Sequence, residues 1–143
     1  MPLRYRRVTY RYTAPGADVE QFFRRIWELN RQQTWTARAR WRPPTDVLEG
    51  PLGLSVKIEL AGMQEDDVDV ALFDDMLVVS GSRVEEPVGG LDCHSYDCRY
   101  HESGVRYGDF RVEVYLPLPV DPDRVVARYD RGFLYVTLPR RED

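Results

Sequence analysis

Short apolar–polar alternations that recur from Thr45 onward constrain the fold of this 143-residue chain more than any other feature. Residues 54–60 alternate strictly, which predicts a strand with one buried and one solvated face. Further strands are predicted at 68–73, 76–81, 109–116, 124–129 and 133–138, with turn residues between them. Strands at this spacing predict an all-β, antiparallel sandwich, and the length fits one such domain.

The first 42 residues do not share this pattern and are predicted to form an arm. Residues 3–12 have strand-like periodicity, 31–42 resemble a connector, and Pro43-Pro44 marks a boundary. Between them, Asp18 is a helix cap, and apolar residues recur at the spacing of a short amphipathic helix at Val19, Phe22, Phe23, Ile26 and Trp27. This helix could face the core, a second subunit, a membrane surface or unfolded chains. The predicted organisation is an arm at 1–42, a domain at 43–139 and a tail at 140–143.

Charge divides the chain in the same way. Ten arginines and three carboxylates give residues 1–42 a formal charge of +7. Because the whole chain has a net charge of −4, residues 43–143 carry a net charge of −11. A cationic, aromatic arm is compatible with nucleic-acid binding. Net acidity favours association of the arm with its own domain or with another copy.

Several function classes are excluded by what the sequence lacks. No apolar run reaches the ~18–20 residues of a membrane span, and no secretory signal is evident, so we expect a cytoplasmic protein without a membrane partner. Cys93, His94, Cys98 and His101 do not have a recognised zinc spacing. Paired carboxylates lie at predicted turns, and no nucleotide-binding or hydrolase motif is present. We therefore predict no catalytic residue, no metal and no cofactor.

A long connection at residues 82–106 interrupts the series of strands. Compact domains rarely contain more than ~12–15 unstructured residues without a purpose. Its central part, 91–96, is predicted to pair outside its own sheet, and exchange of such a segment would give an isologous dimer.

Motifs in the order expected of one family then accumulate along residues 43–139. They are Pro43-x-x-Asp46-Val47-x-Glu49, Leu60-Ala61-Gly62, Glu65 to Val70, Leu77-Val78-Val79-Ser80-Gly81, Tyr107-Gly108-Asp109-Phe110, Leu116-Pro117 and Ala127 to Leu134. This series resembles the α-crystallin domain of small heat shock proteins. The resemblance implies an immunoglobulin-like sandwich in an ATP-independent holdase that binds unfolding clients. It also implies a homodimer formed by exchange of a loop strand, with small oligomers possible, and places Leu91, Cys93, His94 and Tyr96 in that loop.

The resemblance also assigns binding residues. A hydrophobic groove would have one wall made of Val68, Val70 and Leu72 and another made of Val125, Ala127 and Tyr129. The alternative is that Val68, Val70 and Leu72 are ordinary positions of the sandwich core. No I-x-I/V motif follows Pro139, so we expect Val8 and Tyr10 of the arm to fill this groove. Separately from the resemblance, the large contact area of aromatic side chains makes the arm the expected site of client contact, at Phe22, Phe23, Ile26, Trp27, Trp35 and Trp41. The alternative is a co-chaperone-like or nucleic-acid-binding module that uses the arginine-rich arm.

Overall fold

Antiparallel strands make up the described part of the molecule. The computed structural model describes residues 3–4, 39–64, 67–73, 75–85 and 98–142. The strands in these ranges are β1 (Leu3–Arg4), β2 (Thr45–Gly50), β3 (Gly53–Glu59), β4 (Val68–Leu72), β5 (Met76–Arg83), β6 (Gly108–Tyr115), β7 (Val126–Asp130) and β8 (Phe133–Pro139). They form a five-stranded sheet in the order β1-β7-β8-β3-β2 and a three-stranded sheet in the order β4-β5-β6. The predicted all-β sandwich is confirmed, whereas the predicted amphipathic helix lies outside the described residues.

The core lies between the two sheets, and the central strands β3 and β8 of the larger sheet contribute alternate residues to it. In β3, the side chains of Leu54, Val56 and Ile58 are buried, while the residues between them remain partly accessible. In β8, buried residues alternate in the same way, and Val136 lies opposite Val56 in the register. The strict alternation in the sequence therefore reports a strand with only one face in the core.

The β7–β8 hairpin turns on two residues with positive φ. Arg131 has φ of 50° and Gly132 has φ of 87°. Positive φ at both central residues is typical of a type I′ turn, whose twist matches that of the flanking strands. Glycine adopts positive φ without steric cost, whereas Arg131 adopts it at some steric cost because of its Cβ.

One strand begins later than predicted. The prediction of a strand over 124–129 is wrong at its start, because Pro122–Arg124 form a turn of 3-10 helix and β7 begins at Val126. The Asp121 side chain caps this turn by accepting a hydrogen bond from the Asp123 amide, and proline at the first helical position favours it. The strand prediction used the pattern of apolar residues, which contains no information about capping by Asp121.

Candidate functional site

Strand β2 forms one edge of the five-stranded sheet and is exposed along most of its length. Two apolar side chains in its middle, Val47 and Leu48, are 47% and 70% exposed. An edge strand offers unpaired N–H and C=O groups to another chain. Beside it lies a depression of about 500 Å³, lined by Thr45, Asp46, Val47, Leu48, Ser55, Lys57 and Tyr135. This edge has the geometry of a surface that accepts a further strand.

The opposite edge of the same sheet already carries a short additional strand. Leu3 lies opposite Tyr129, and Arg4 lies opposite Arg128, in antiparallel register. Strand β7 therefore pairs with an extended segment that is distant in sequence, a mode of recognition that depends on main-chain hydrogen bonds. Val8 and Tyr10, which were expected to fill the groove, lie outside the described residues.

Both walls of the predicted groove belong to one hydrophobic cluster. The residues Val68, Val70, Leu72, Val125 and Ala127 are buried in it, and Tyr129 is partly buried against it. The Tyr129 hydroxyl donates a hydrogen bond of 2.8 Å to the carbonyl oxygen of Leu60. These side chains therefore face the space between the sheets, with the main chain of β7 available to β1.

A third feature is the point at which the arm joins the sandwich. The amide of Arg40 donates a hydrogen bond of 2.7 Å to the carbonyl oxygen of Asp109. Trp41 packs edge-on against Phe110, with ring centroids 5.6 Å apart, and its indole N–H donates to the Gly108 carbonyl at 2.9 Å. The packed unit therefore includes two residues before the predicted boundary at Pro43.

Arg83 holds this junction together with the returning end of the long connection. Its guanidinium carbon lies 4.3 Å from the Trp41 ring centroid and 5.4 Å from that of Tyr107. Its Nε and Nη2 both donate to the Arg106 carbonyl, and Nη1 donates to the Ala61 carbonyl at 3.2 Å. One side chain at the end of β5 thus contacts both the arm and the connection. We call this set of contacts the Arg83 clamp.

The two ends of the connection also meet beyond the clamp. The Tyr100 hydroxyl donates a hydrogen bond to Glu85, and this bond raises the pKa of Tyr100 above its usual value of 10.0. Nearby, Cys98 is disulfide-bonded. The sulfur of Cys98 is therefore not a thiolate and cannot be a zinc ligand while the disulfide is intact.

A sequence model of the Hsp20/alpha crystallin family matches residues 46–143. The chain belongs to this family. The α-crystallin resemblance predicted from the motifs is therefore confirmed, and the family is one of small heat shock chaperones.

Known members of the Hsp20 family resemble the chain in sequence and in fold. Heat shock protein 16 of Schizosaccharomyces pombe is 35% identical over 100 residues, which cover 70% of this chain and 67% of that protein. Small heat shock protein C2 of Rickettsia felis is 29% identical over 100 residues, covering 70% of this chain and 61% of that protein. The matched region thus spans about three fifths to two thirds of these relatives.

Solved structures give the same result. Heat shock protein 16.0 from Schizosaccharomyces pombe superimposes with a TM-score of 0.61 at 33% identity, covering 72% of this chain and 90% of that one. A small heat-shock protein from Xylella fastidiosa, described as having a distinct high order structure, has a TM-score of 0.61 at 27% identity and covers 73% of this chain and 91% of that one.

Most of the residues assigned to client binding in this Hsp20 chain lie outside the described ranges. These are Phe22, Phe23, Ile26, Trp27 and Trp35. The residues predicted for the dimer loop, Leu91, Cys93, His94 and Tyr96, also lie outside the described ranges. Trp41 is described, and its ring is engaged by Phe110 and Arg83. Its assignment to client contact stays a prediction, beside a clear structural role at the root of the arm.

Turn geometry explains the carboxylate at Asp67, which accepts a hydrogen bond of 3.1 Å from the Gln64 amide. Within the described ranges, no three histidine, cysteine or carboxylate side chains come together as a metal site. No helix in the same ranges is long and apolar enough to cross a membrane.

Sequence reasoning missed two features of this site. Strand β2 has no alternation of buried and exposed residues, because both of its faces are accessible to solvent. Arg83 lies at the end of a strand without a motif, and its partners are 22 to 42 residues away in sequence. A cation between two aromatic residues in space leaves no periodic signal in the chain.

Proposed function

We propose that this Hsp20 chain is an ATP-independent holdase chaperone, with no catalytic activity of its own, that binds unfolding proteins and suppresses their aggregation. The proposal is carried by one observation: the domain that matches the chaperone family is a sandwich whose larger sheet pairs with an extended segment at its β7 edge. An unfolding client exposes extended, apolar segments of this kind. Burial of apolar surface is worth roughly 25 cal/mol per Å², so retention of a client needs no nucleotide.

The aromatic residues of the arm are the proposed client contacts. Phe22, Phe23, Ile26 and Trp27 offer a large apolar area at helical spacing, and Trp35 and Trp41 extend it toward the domain. The acidic remainder of the chain would keep a loaded complex in solution by mutual repulsion. This division of roles agrees with the charge difference between the two parts.

The test is light scattering from a heated model client, without ATP, in the presence of the chain. Replacement of Phe22, Phe23, Ile26 and Trp27 by serine is expected to weaken suppression strongly. Replacement of Gln21 by serine, on the polar side of the same predicted helix, is the control and should protect fully. Equal protection by both variants would contradict the assignment of client contacts, and absence of protection by the unmodified chain would contradict the proposed function.

The proposed assembly is a homodimer in which the connection of each subunit pairs with the partner's sheet. The support is the exposed β2 edge, which lies at the far end of the sheet from β1. Proline cannot donate to a strand ladder, so Leu91→Pro should convert the dimer to a monomer. Val105→Pro, at an exposed position outside the proposed strand, is the control. The measurement is the mass in solution of the native chain and both variants by analytical ultracentrifugation. A dimer that persists in Leu91→Pro would refute this mode of exchange.

The proposed location is the cytoplasm. Cytosolic disulfides in proteins of this kind are usually transient, so we expect the Cys98 thiol to be alkylated in cells that are lysed directly into a thiol reagent. Complete resistance to alkylation, together with recovery outside the cytosolic fraction, would contradict this location.

A further inference from the structure

The centre of the outer face of the three-stranded sheet, along β5, is buried, although no described element covers it and outward residues of both edge strands, Asp69 and Tyr115, are exposed. By register, the outward residues of β5 are Met76, Val78 and Ser80, because the alternate residues Leu77 and Val79 belong to the core cluster. Met76 and Val78 are only 2% and 1% exposed. Among the described residues, the strands form two layers, and helical residues occur only in short 3-10 turns, at Asp67 and at Pro122–Arg124. The described fold therefore does not provide the third layer that this burial requires.

Four buried apolar residues stand apart from the core cluster: Ala71, Phe73, Met76 and Val78. Ala71 lies opposite Val78 on the outward side of β4, and Phe73 follows two residues later, at the start of the β4–β5 turn. We call this set the outer patch. Its members are separated from the core by the sheet itself, so they form a second apolar surface.

The outer face of the five-stranded sheet behaves differently. Val126 and Thr137 lie opposite each other on that face, and both are exposed, Val126 by 54%. Lys57 and Tyr135 are opposite each other there and remain partly accessible. Burial of outward residues is thus a property of one sheet only, which indicates a specific cover over the outer patch.

We propose that the outer patch is the docking site of the chain's own segment 19–27, the amphipathic helix predicted from the sequence. This inference deepens the proposed function, because it assigns a resting place to the residues that are proposed to bind clients. The helix presents Val19, Phe22, Phe23, Ile26 and Trp27 on one side, and this apolar side would lie on the patch.

The entry point of the arm supports this occupant. Arg40 and Trp41 are bound to Asp109 and Phe110 of β6, which is an edge strand of the same three-stranded sheet. The connector 28–38 can span up to ~36 Å, and a nine-residue helix is ~14 Å long, against ~10 Å across three strands. The chain therefore approaches from the correct side and is long enough to cover the patch.

Charge complementarity points to the same segment. The outward side of the sheet carries the carboxylates of Asp69 and Glu113, which lie opposite Ser80 and Val78 in the register. Glu113 already pairs with Arg111 at 3.1 Å. At 100° per residue, Arg24 follows Trp27 and Arg25 follows Phe22 around the helix, so the two arginines border the apolar side and would meet the sheet at its edges. The alternative cover, the connection at 86–97, contributes three more carboxylates and no cation.

The test is limited proteolysis of the full chain with trypsin, followed at Arg24, Arg25 and Arg31. Cleavage of a docked segment follows the population of its open form, so Val78→Glu should accelerate cleavage there by about tenfold or more. Val126→Glu introduces the same charge on the exposed outer face of the other sheet and should leave the rate unchanged.

A second variant keeps the test decisive if Val78→Glu fails to fold. Ile26→Asp alters only the segment and should give the same acceleration, whereas Gln21→Asp, on its polar side, should not. The double variant of Val78 and Ile26 should be cleaved no faster than either single variant, because both remove one contact. Unchanged cleavage in both single variants would overturn the proposal.

Dilution separates the intrachain contact from its alternative. Protection that is independent of protein concentration is expected when each segment covers its own sheet. Loss of protection on dilution would overturn the intrachain arrangement in favour of the segment of a second copy. No client is present in this experiment, so its result is independent of the aggregation assay that tests the proposed function.

Discussion

The Arg83 clamp leads to a prediction whose size follows from its contacts. Arg83→Ala removes the cation beside Trp41, at 4.3 Å, and beside Tyr107, at 5.4 Å. Cation–π contacts at partly exposed sites are worth about 0.5–1 kcal/mol each. The donated hydrogen bonds to the Arg106 and Ala61 carbonyls add about 1 kcal/mol or more together, after exchange with water. We expect the free energy of unfolding to fall by about 2–3 kcal/mol.

Arg83→Lys divides this total into its parts. A lysine keeps a positive charge beside the Trp41 ring but loses the planar fork that donates twice to one carbonyl. We expect a loss of about 1–2 kcal/mol, between the native chain and Arg83→Ala. Arg128→Ala is the matched control, because Arg128 is exposed and, within the described part of the chain, contacts one ring, that of Tyr135, at 5.0 Å. It should cost about 0.5 kcal/mol or less.

The assay is urea unfolding followed by circular dichroism, with hydrogen exchange to locate the effect. Because the clamp joins the arm root to the end of the connection, exchange in Arg83→Ala should accelerate at residues 40–41 and 104–108 and remain slow in β3 and β8. A free energy of unfolding for Arg83→Ala within about 0.5 kcal/mol of the native value would refute the reasoning. So would a loss in Arg128→Ala as large as that in Arg83→Ala.

Three further substitutions test other parts of the fold. Gly81→Ala would place a Cβ 2.1 Å from a backbone carbonyl oxygen, so we expect a loss of about 3 kcal/mol or more in urea unfolding, while Gly104→Ala, in open space, should have little effect. Tyr129→Phe removes the hydrogen bond to the Leu60 carbonyl and should cost about 1 kcal/mol, and an unchanged midpoint would contradict a role for this bond. The pKa of Asp121 is lowered from 3.8 by hydrogen bonds from a neighbouring arginine and a backbone amide. Its ionised form therefore stabilises the fold above pH 3.8, and this stabilisation is lost as the pH falls through the lowered pKa. Asp121→Asn should reduce the acid dependence of thermal unfolding in that range, and an identical pH profile would exclude this effect.

The strands that face the core on one side could be predicted from sequence because burial imposes a period of two. β3 and β8 lie at the centre of the larger sheet, and their predicted bounds differ from the observed ones by one residue at most at each end. β2 escaped prediction because Val47 and Leu48 are adjacent apolar residues on an accessible edge, where no alternation is selected by burial. Alternation of apolar and polar residues thus predicts strands that face the core on one side, but it does not predict exposed edge strands.

The candidate site was less predictable, since its parts meet only in space. The groove walls were assigned from the family resemblance, and their residues alternate along the chain as one face of a strand requires; their role in a groove stays a prediction. The Arg83 clamp and the outer patch depend on which strands become neighbours, and Met76 and Val78 look like ordinary core residues in the sequence. Only the register, which places Leu77 and Val79 in the core, assigns them to the opposite face.

The two edges of the larger sheet also explain how one small domain could serve two partners at once. β1 and β2 are separated by β7, β8 and β3, which at ~4.8 Å per strand puts the two edges ~19 Å apart. A strand added to β2 therefore does not compete for hydrogen bonds with a segment held at β7. If pairing at β2 forms the dimer and pairing at β7 holds an extended segment, the two equilibria are independent in geometry. Among the described contacts, the Arg83 clamp joins the arm root to the returning end of the connection, so it is a route by which the two equilibria would be coupled.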